Sequence, residues 1–291
     1  MDLMSLVKLR PLMEESTGDP SISIGLIDGP VFSDHQNLTS GSVKEIPGAR
    51  HAACSHRQSA ACQHGTFVAG MLSARRSSAT PGICPDCTLF VRNIFGESDE
   101  AHVDMPSTTP EELAQAVKDC VDAGARILNV SAALARPSSR GEPALEHSLT
   151  YAAQRGVIVV AACGNQGTVG SSAITRHPWV IPVAACDDRG RPLRISNLGP
   201  SVGRRGLRAP GQNVTSLGTE TNTLTLTGTS AAAPFVTGTI ALMWSAFRKA
   251  SASQMRLAVL QAFAARPRSI VPPLLDASAS YQYVARSIRA C

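Results

Sequence analysis

The chain alternates short, uninterrupted apolar runs with longer segments whose apolar residues recur at three- and four-residue spacing. Residues 157–163 read Val-Ile-Val-Val-Ala-Ala-Cys and residues 179–186 read Trp-Val-Ile-Pro-Val-Ala-Ala-Cys. Such runs lack the in-and-out alternation of a half-exposed strand and mark strands covered on both faces. Residues 22–27, 89–95 and 126–131 are further strands, and 223–227 alternate as an edge hairpin strand. Helical spacing is found over 64–72, 109–124, 143–155 and 230–247. The second of these is the most fully specified: Thr109 as N-cap, Pro110 at the first helical position, Glu112 three residues past the cap, apolar residues at 113, 116, 117, 120 and 121, and Gly124 to stop it. The last carries Pro234, read as lying in its first turn, where a missing N–H is tolerated. Residues 33–63 show no period and read as irregular. Alternating strand and helix predicts a doubly wound α/β fold, a mainly parallel sheet with helices on both faces. No internal repeat interrupts it. Residues 1–20 read as an N-terminal extension, 21–267 as one domain, and 268–291 as a tail packed on or extending from it.

Composition narrows the class. With 291 residues, 43% of them hydrophobic, the chain is long and apolar enough for a substantial core. The 27 Lys and Arg against 22 Asp and Glu leave a net charge of +5, spread along the chain, so no nucleic-acid partner is expected. No apolar run approaches the ~20 residues that span a bilayer, so no membrane partner is expected either. Asp2 stands where a signal peptide would be basic, and no apolar h-region follows. The expectation is a soluble cytoplasmic protein whose eight cysteines are mostly reduced.

In an open α/β sheet, ligands bind beyond the carboxyl ends of the strands. Asp28 ends the first strand, His64 opens a helix, Asn165 follows a buried strand, and Ser230 starts the last long helix. A serine hydroxyl needs a base, the base needs an acid to hold its tautomer, and a tetrahedral oxyanion needs donors. These four residues meet those needs together, although each alone would pass as a cap, turn or structural residue.

Their surroundings match as well: Asp28-Gly29, the 64–70 segment His-Gly-Thr-Phe-Val-Ala-Gly, Asn129-Val130-Ser131, the 164–167 segment Gly-Asn-Gln-Gly, Ala209-Pro210-Gly211, and the 228–234 segment Gly-Thr-Ser-Ala-Ala-Ala-Pro. Over roughly residues 20–250 the chain resembles the subtilisin-like serine proteases. The resemblance implies that Ser230 is the nucleophile, His64 the general base and then acid, Asp28 its orienting carboxylate, and Asn165 an oxyanion donor beside the Ser230 N–H. It also implies that an extended peptide runs along Val130, Ser131, Ala132 and Ala133 on one side and Ala161, Ala162, Cys163 and Gly164 on the other. Two departures stand out: Ala231 follows the nucleophile where the family usually has Met, and Ser131-Ala132-Ala133 replaces Ser-Leu-Gly. Longer motifs, at residues 18–31, 82–87 and 177–192, look like the proteases that mature cyanobactin-type ribosomal peptides. Asp28 and His64 are 36 residues apart, too close for the helical cap of the macrocyclising branch. The expected function is therefore endopeptidase cleavage of a ribosomally made precursor peptide, without cofactor. Macrocyclisation, a general intracellular protease and an inactive peptide-binding scaffold are the alternatives.

Other features admit other readings. His51, Cys54, His56 and Cys62, with Cys84 and Cys87 nearby, suggest a zinc site, but His64 cannot be both ligand and base, so no metal is expected. Cys84-Pro85-Asp86-Cys87 has redox spacing but precedes a strand instead of starting a helix. Cys54 and Cys62 as a disulfide would tie the loop before His64. Cys120 and Cys163 read as small buried hydrophobes. Residues 73–81 carry no carboxylate, which leaves calcium unsupported. Arg189, Arg191, Arg194, Arg204, Arg205 and Arg208 read as solvated loop charges, or as the complement of an acidic leader peptide.

Overall fold

β1 (Ser23–Asp28) lies at the centre of the sheet and every one of its residues is buried. The computed structural model describes residues 2–38, 41–51, 53–97, 106–133, 141–220, 223–261 and 269–289. The chain begins with two short helices, α1 (Leu3–Leu6) and α2 (Arg10–Glu15), ahead of β1. Then follow β2 (Val43–Glu45), α3 (Ala60–Ser73), β3 (Thr88–Asn93), α4 (Pro110–Asp122) and β4 (Ile127–Val130). Next come α5 (Pro143–Gln154), β5 (Ile158–Ala162), α6 (Ala173–Arg176), β6 (Ile181–Cys186), α7 (Pro200–Arg205) and β7 (Leu207–Pro210). Among the described residues these strands form one seven-stranded parallel sheet in the order β2-β3-β1-β4-β5-β6-β7. The winding reverses at β1, where β3 lies on one side and β4 on the other, so Asp28 ends the strand at the switch point.

Successive strand residues face opposite cores. Ile127, Ile158 and Val160 join α3 and the long helix α8 (Thr229–Ala246) on one face, while Leu128, Val130, Val159 and Ala161 join α4 and α5 on the other. This two-sided cover explains the continuous apolar strands. α8 is buried over nearly its whole length, and its Trp244 indole donates to the Ala250 carbonyl at 2.8 Å. The structure starts α8 at Thr229, which puts Pro234 inside the helix instead of in its first turn. The carbonyl of Ser230 thereby lacks its usual helical N–H partner.

Several elements differ from the sequence expectation. β2 arises within the stretch read as irregular, paired to β3 from Val43↔Leu89 to Glu45↔Val91. β9 (Thr223–Leu226) is the expected hairpin strand, and its antiparallel partner, β8 (Val214–Leu217), is the addition. α9 (Ala252–Gln261) follows α8, and α10 (Ala277–Arg289) lies in the tail. The tail meets the chain's beginning: Ala277 N donates to Val7 O at 2.9 Å, and Lys8 pairs with Asp276 at 2.5 Å. Just before α10, Arg208 N donates to Pro273 O and Leu275 N to Arg208 O, so this segment runs along β7 and covers the sheet edge. No helix among the described residues is long and apolar enough to cross a membrane.

Candidate active site

α3 starts at Ala60, four residues earlier than its apolar spacing suggests, because Ser59 caps it by accepting from Cys62 N at 3.2 Å. The helix lies almost against the end of β1. A Cβ on Gly65 would stand 2.4 Å from Pro30 O, and one on Gly29 2.0 Å from Ala61 O, so both positions need glycine for backbone to meet backbone. That approach carries His64 to Asp28. Asp28 Oδ1 receives Gly29 N at 2.6 Å and lies 2.7 Å from His64 Nδ1. On the far side of the ring His64 Nε2 is 2.8 Å from Ser230 Oγ, at the N-terminal end of α8. Asp28 is fully buried, and its Oδ2 has no hydrogen-bond partner among the described residues. Burial of the His64 ring opposes protonation, but the charge of Asp28 and the hydrogen bond to it outweigh that, so the imidazole titrates above its ordinary value of 6.5.

Asn165 lies in the turn after β5. Its Oδ1 accepts from Thr229 N at 2.9 Å and from Thr229 Oγ1 at 3.0 Å, while Thr229 Oγ1 accepts from Gly164 N at 3.1 Å. Its oxygen is occupied on the helix side, Nδ2 has no hydrogen-bond partner among the described residues, and a Cβ on Gly228 would stand 2.9 Å from that nitrogen. A cleft of about 470 Å³ opens here, bounded by His64, Asn165 and Ser230 and, along its length, by Ser131, Ala132, Ala133, Ala162 and Gly164. Val130, Ala161 and Cys163, expected along the peptide, are not on its wall. Val130 and Ala161 point into the core under α4 and α5, and Cys163 packs against Ala184 and Val202. Phe95, Leu113 and the 106–110 segment also line the cleft, and no motif in the sequence marks the entry to α4 as a rim. Thr229 and Asn197, which bond to the turn of Asn165, carry no signal in the sequence beyond the place of Thr229 in the 228–234 segment. A larger cavity, about 590 Å³ between the first two helices and β8, contains none of the four predicted catalytic residues.

The structure also sorts the cysteines and cations. Cys54 and Cys62 are joined in a disulfide. Among the described residues, Cys54, Cys62 and Glu97 stand close enough to share an ion, but bonded sulfurs offer no thiolate and Glu97 accepts from Ser55 N and His56 N. Cys84 and Cys87 are both buried and unbridged. Of the arginines read as a possible complement to an acidic peptide, Arg205 donates to Thr175 O and Arg176 O, Arg208 to Gly190 O and Pro272 O, and Arg191 pairs with Asp187. Arg205 and Arg208 are thus tied to backbone carbonyls, whereas Arg191 keeps 68% of its side chain exposed beside Asp187.

A hydroxyl, an imidazole and a carboxylate in one hydrogen-bonded line, with the Asn165 amide on the same cleft, can carry out acyl transfer. The model of the subtilase family matches residues 19–279. The chain belongs to the subtilase family. It is a subtilisin-like serine protease in sequence and in fold. Subtilisin DY of Bacillus licheniformis is 28% identical over 256 residues, 86% of each chain. Among solved structures, a mutant of the protease domain of PatA superposes with a TM-score of 0.83 at 28% identity, over 93% of this chain and 97% of that one. The prenylagaramide maturation protease PagA gives a TM-score of 0.81 at 26% identity, over 95% of this chain and 98% of that one. PatA is described as a patellamide maturation protease.

Proposed function

We propose that this subtilase is an endopeptidase that removes the leader or recognition sequence from a ribosomally made precursor peptide, through an acyl-enzyme on Ser230. The unbroken line from Asp28 through His64 to Ser230, at 2.7 and 2.8 Å on the lip of the cleft, carries the reading. The likeness to the maturation proteases PatA and PagA over nearly the whole chain supports the substrate class. His64 Nε2 takes the Ser230 proton as Oγ attacks the scissile carbonyl carbon, and Asp28 steadies the imidazolium. The oxyanion lies between Asn165 Nδ2 and the Ser230 N–H at the positive end of α8. His64 then protonates the departing amine. In the second half His64 deprotonates a water that attacks the ester, and Ser230 recovers its proton. The substrate main chain runs between Ser131, Ala132 and Ala133 on one side and Ala162 and Gly164 on the other, residues that line the cleft.

Incubation with precursor peptide and mass spectrometry tests this. Wild type yields linear fragments whose masses add up to the precursor plus one water, and Ser230→Ala yields none. A cyclic product one water lighter than the linear fragment would put macrocyclisation in place of hydrolysis. Labelling of Ser230 by a fluorophosphonate without cleavage of any precursor would refute the substrate class, and absence of labelling would refute the catalytic reading.

A further inference from the structure

Asn197 lies 32 residues beyond Asn165 and outside the cleft wall, yet its bonds converge on the turn that carries Asn165. Its Nδ2 donates to Cys163 O at 3.1 Å and to Gln166 Oε1 at 2.7 Å. Its Oδ1 accepts from Gln166 N at 3.1 Å, Thr168 N at 3.1 Å and Thr168 Oγ1 at 3.0 Å. Its own N–H donates to Gly164 O at 3.0 Å. One side chain and one amide thus hold the residues on both sides of Asn165 without touching Asn165. Gly164 is shaped to admit it: its φ of +98° is left-handed, and a Cβ there would stand 2.4 Å from Asn197 Nδ2. Thr229 fixes the amide of Asn165 from the other side.

We infer that Asn197 is a positioning residue for the oxyanion site, holding the 163–168 turn so that Asn165 Nδ2 meets the developing charge; this rests on the reading of Asn165 as an oxyanion donor. Asn197 touches no reacting atom and acts through Asn165. An amide is suited to the task because it offers both donor and acceptor to a turn whose carbonyls and N–H groups face the same point. Displacing a donor by about an ångström costs up to about 100-fold in rate, and because the charge exists only in the transition state, the loss falls on kcat and not on KM.

A double-mutant cycle on the full chain tests it, with steady-state kinetics on a cleavable peptide and thermal melting to confirm folding. Asn197→Ala lowers kcat by about 10- to 100-fold with KM nearly unchanged. In an Asn165→Ala background the same substitution lowers kcat by less than about 3-fold, since the group it positions is gone. Asn197→Asp, which keeps the acceptor and loses the donors, loses less than Asn197→Ala, and completes the same cycle if the alanine variant does not fold. If Asn197→Ala costs the same factor with and without Asn165, the inference is overturned and the oxyanion reading stands. If Asn165→Ala leaves kcat unchanged, both fall.

Discussion

The two walls of the active site are held by different physics. On the base side, Asp28 and His64 are set by backbone pressed on backbone at Gly29 and Gly65 and by a covalent link from Cys54 to Cys62, two residues before His64. On the nucleophile side, Ser230 rises from a helix buried almost all round, and Asn165 hangs in a turn held by the side chains of Asn197 and Thr229. Close packing and a covalent bond resist loss of any single hydrogen bond, whereas a network of polar side chains gives way when one member is removed. The base wall is therefore open to redox change and the nucleophile wall to single polar substitutions.

The largest effect breaks both walls alike. Ser230→Ala and His64→Ala should each lower kcat by about 10⁵- to 10⁶-fold while the melting curve stays close to wild type; retained activity in purified Ser230→Ala would remove Ser230 as the nucleophile. Next, Asn165→Ala should cost about 10²- to 10³-fold in kcat at nearly constant KM. A loss carried mainly by KM would make Asn165 a substrate contact instead. Smaller again is the disulfide, whose half-buried Cys54 gives a reductant access. Opening a link of sequence separation 8 should lower unfolding stability by about 2.5 kcal/mol, read by urea titration with and without reductant. Any accompanying drop in kcat should be the same factor in wild type and in Asn165→Ala, because the disulfide acts on the other wall. Dependence of that factor on Asn165 would erase the distinction between the walls.

The smallest effect is in the pH profile. Because Asp28 holds His64 above 6.5, the base stays protonated to higher pH, and the acid limb of kcat/KM should have its midpoint above 6.5. The stability linkage has the same sign: the Asp28 pairing stabilises the fold fully below about pH 6.5 and fades as pH rises through the raised value. A midpoint at or below 6.5 would mean that burial outweighs the carboxylate.

Asp28, Asn165 and Ser230 were legible because each sits at or just beyond the end of a strand or helix, where boundaries leave local marks, and His64, inside α3, through the Gly-Thr-Phe-Val-Ala-Gly that follows it. The central strands were legible because two-sided burial writes itself as an unbroken apolar run. β2 was not, since a three-residue edge strand with exposed Lys44 and Glu45 is held by backbone bonds that any side chain permits. The role of Arg205 and Arg208 was hidden for a related reason: a basic residue reads the same whether its guanidinium meets water or a carbonyl brought in from 29 or 64 residues away. The walls of the cleft divide in the same way, with Ser131 to Ala133 and Gly164 foreseen and the 106–110 rim not.

By itself the sequence determined the alternating α/β plan and the chemical groups at the ends of its elements, because local periodicity and capping act over a few residues. Only the tertiary structure decided which loops face those groups, how the tail closes the sheet edge, and that Asn197 braces the turn of Asn165. Those outcomes depend on atoms far apart in the chain meeting within about 3 Å, and nothing in local propensity encodes that meeting.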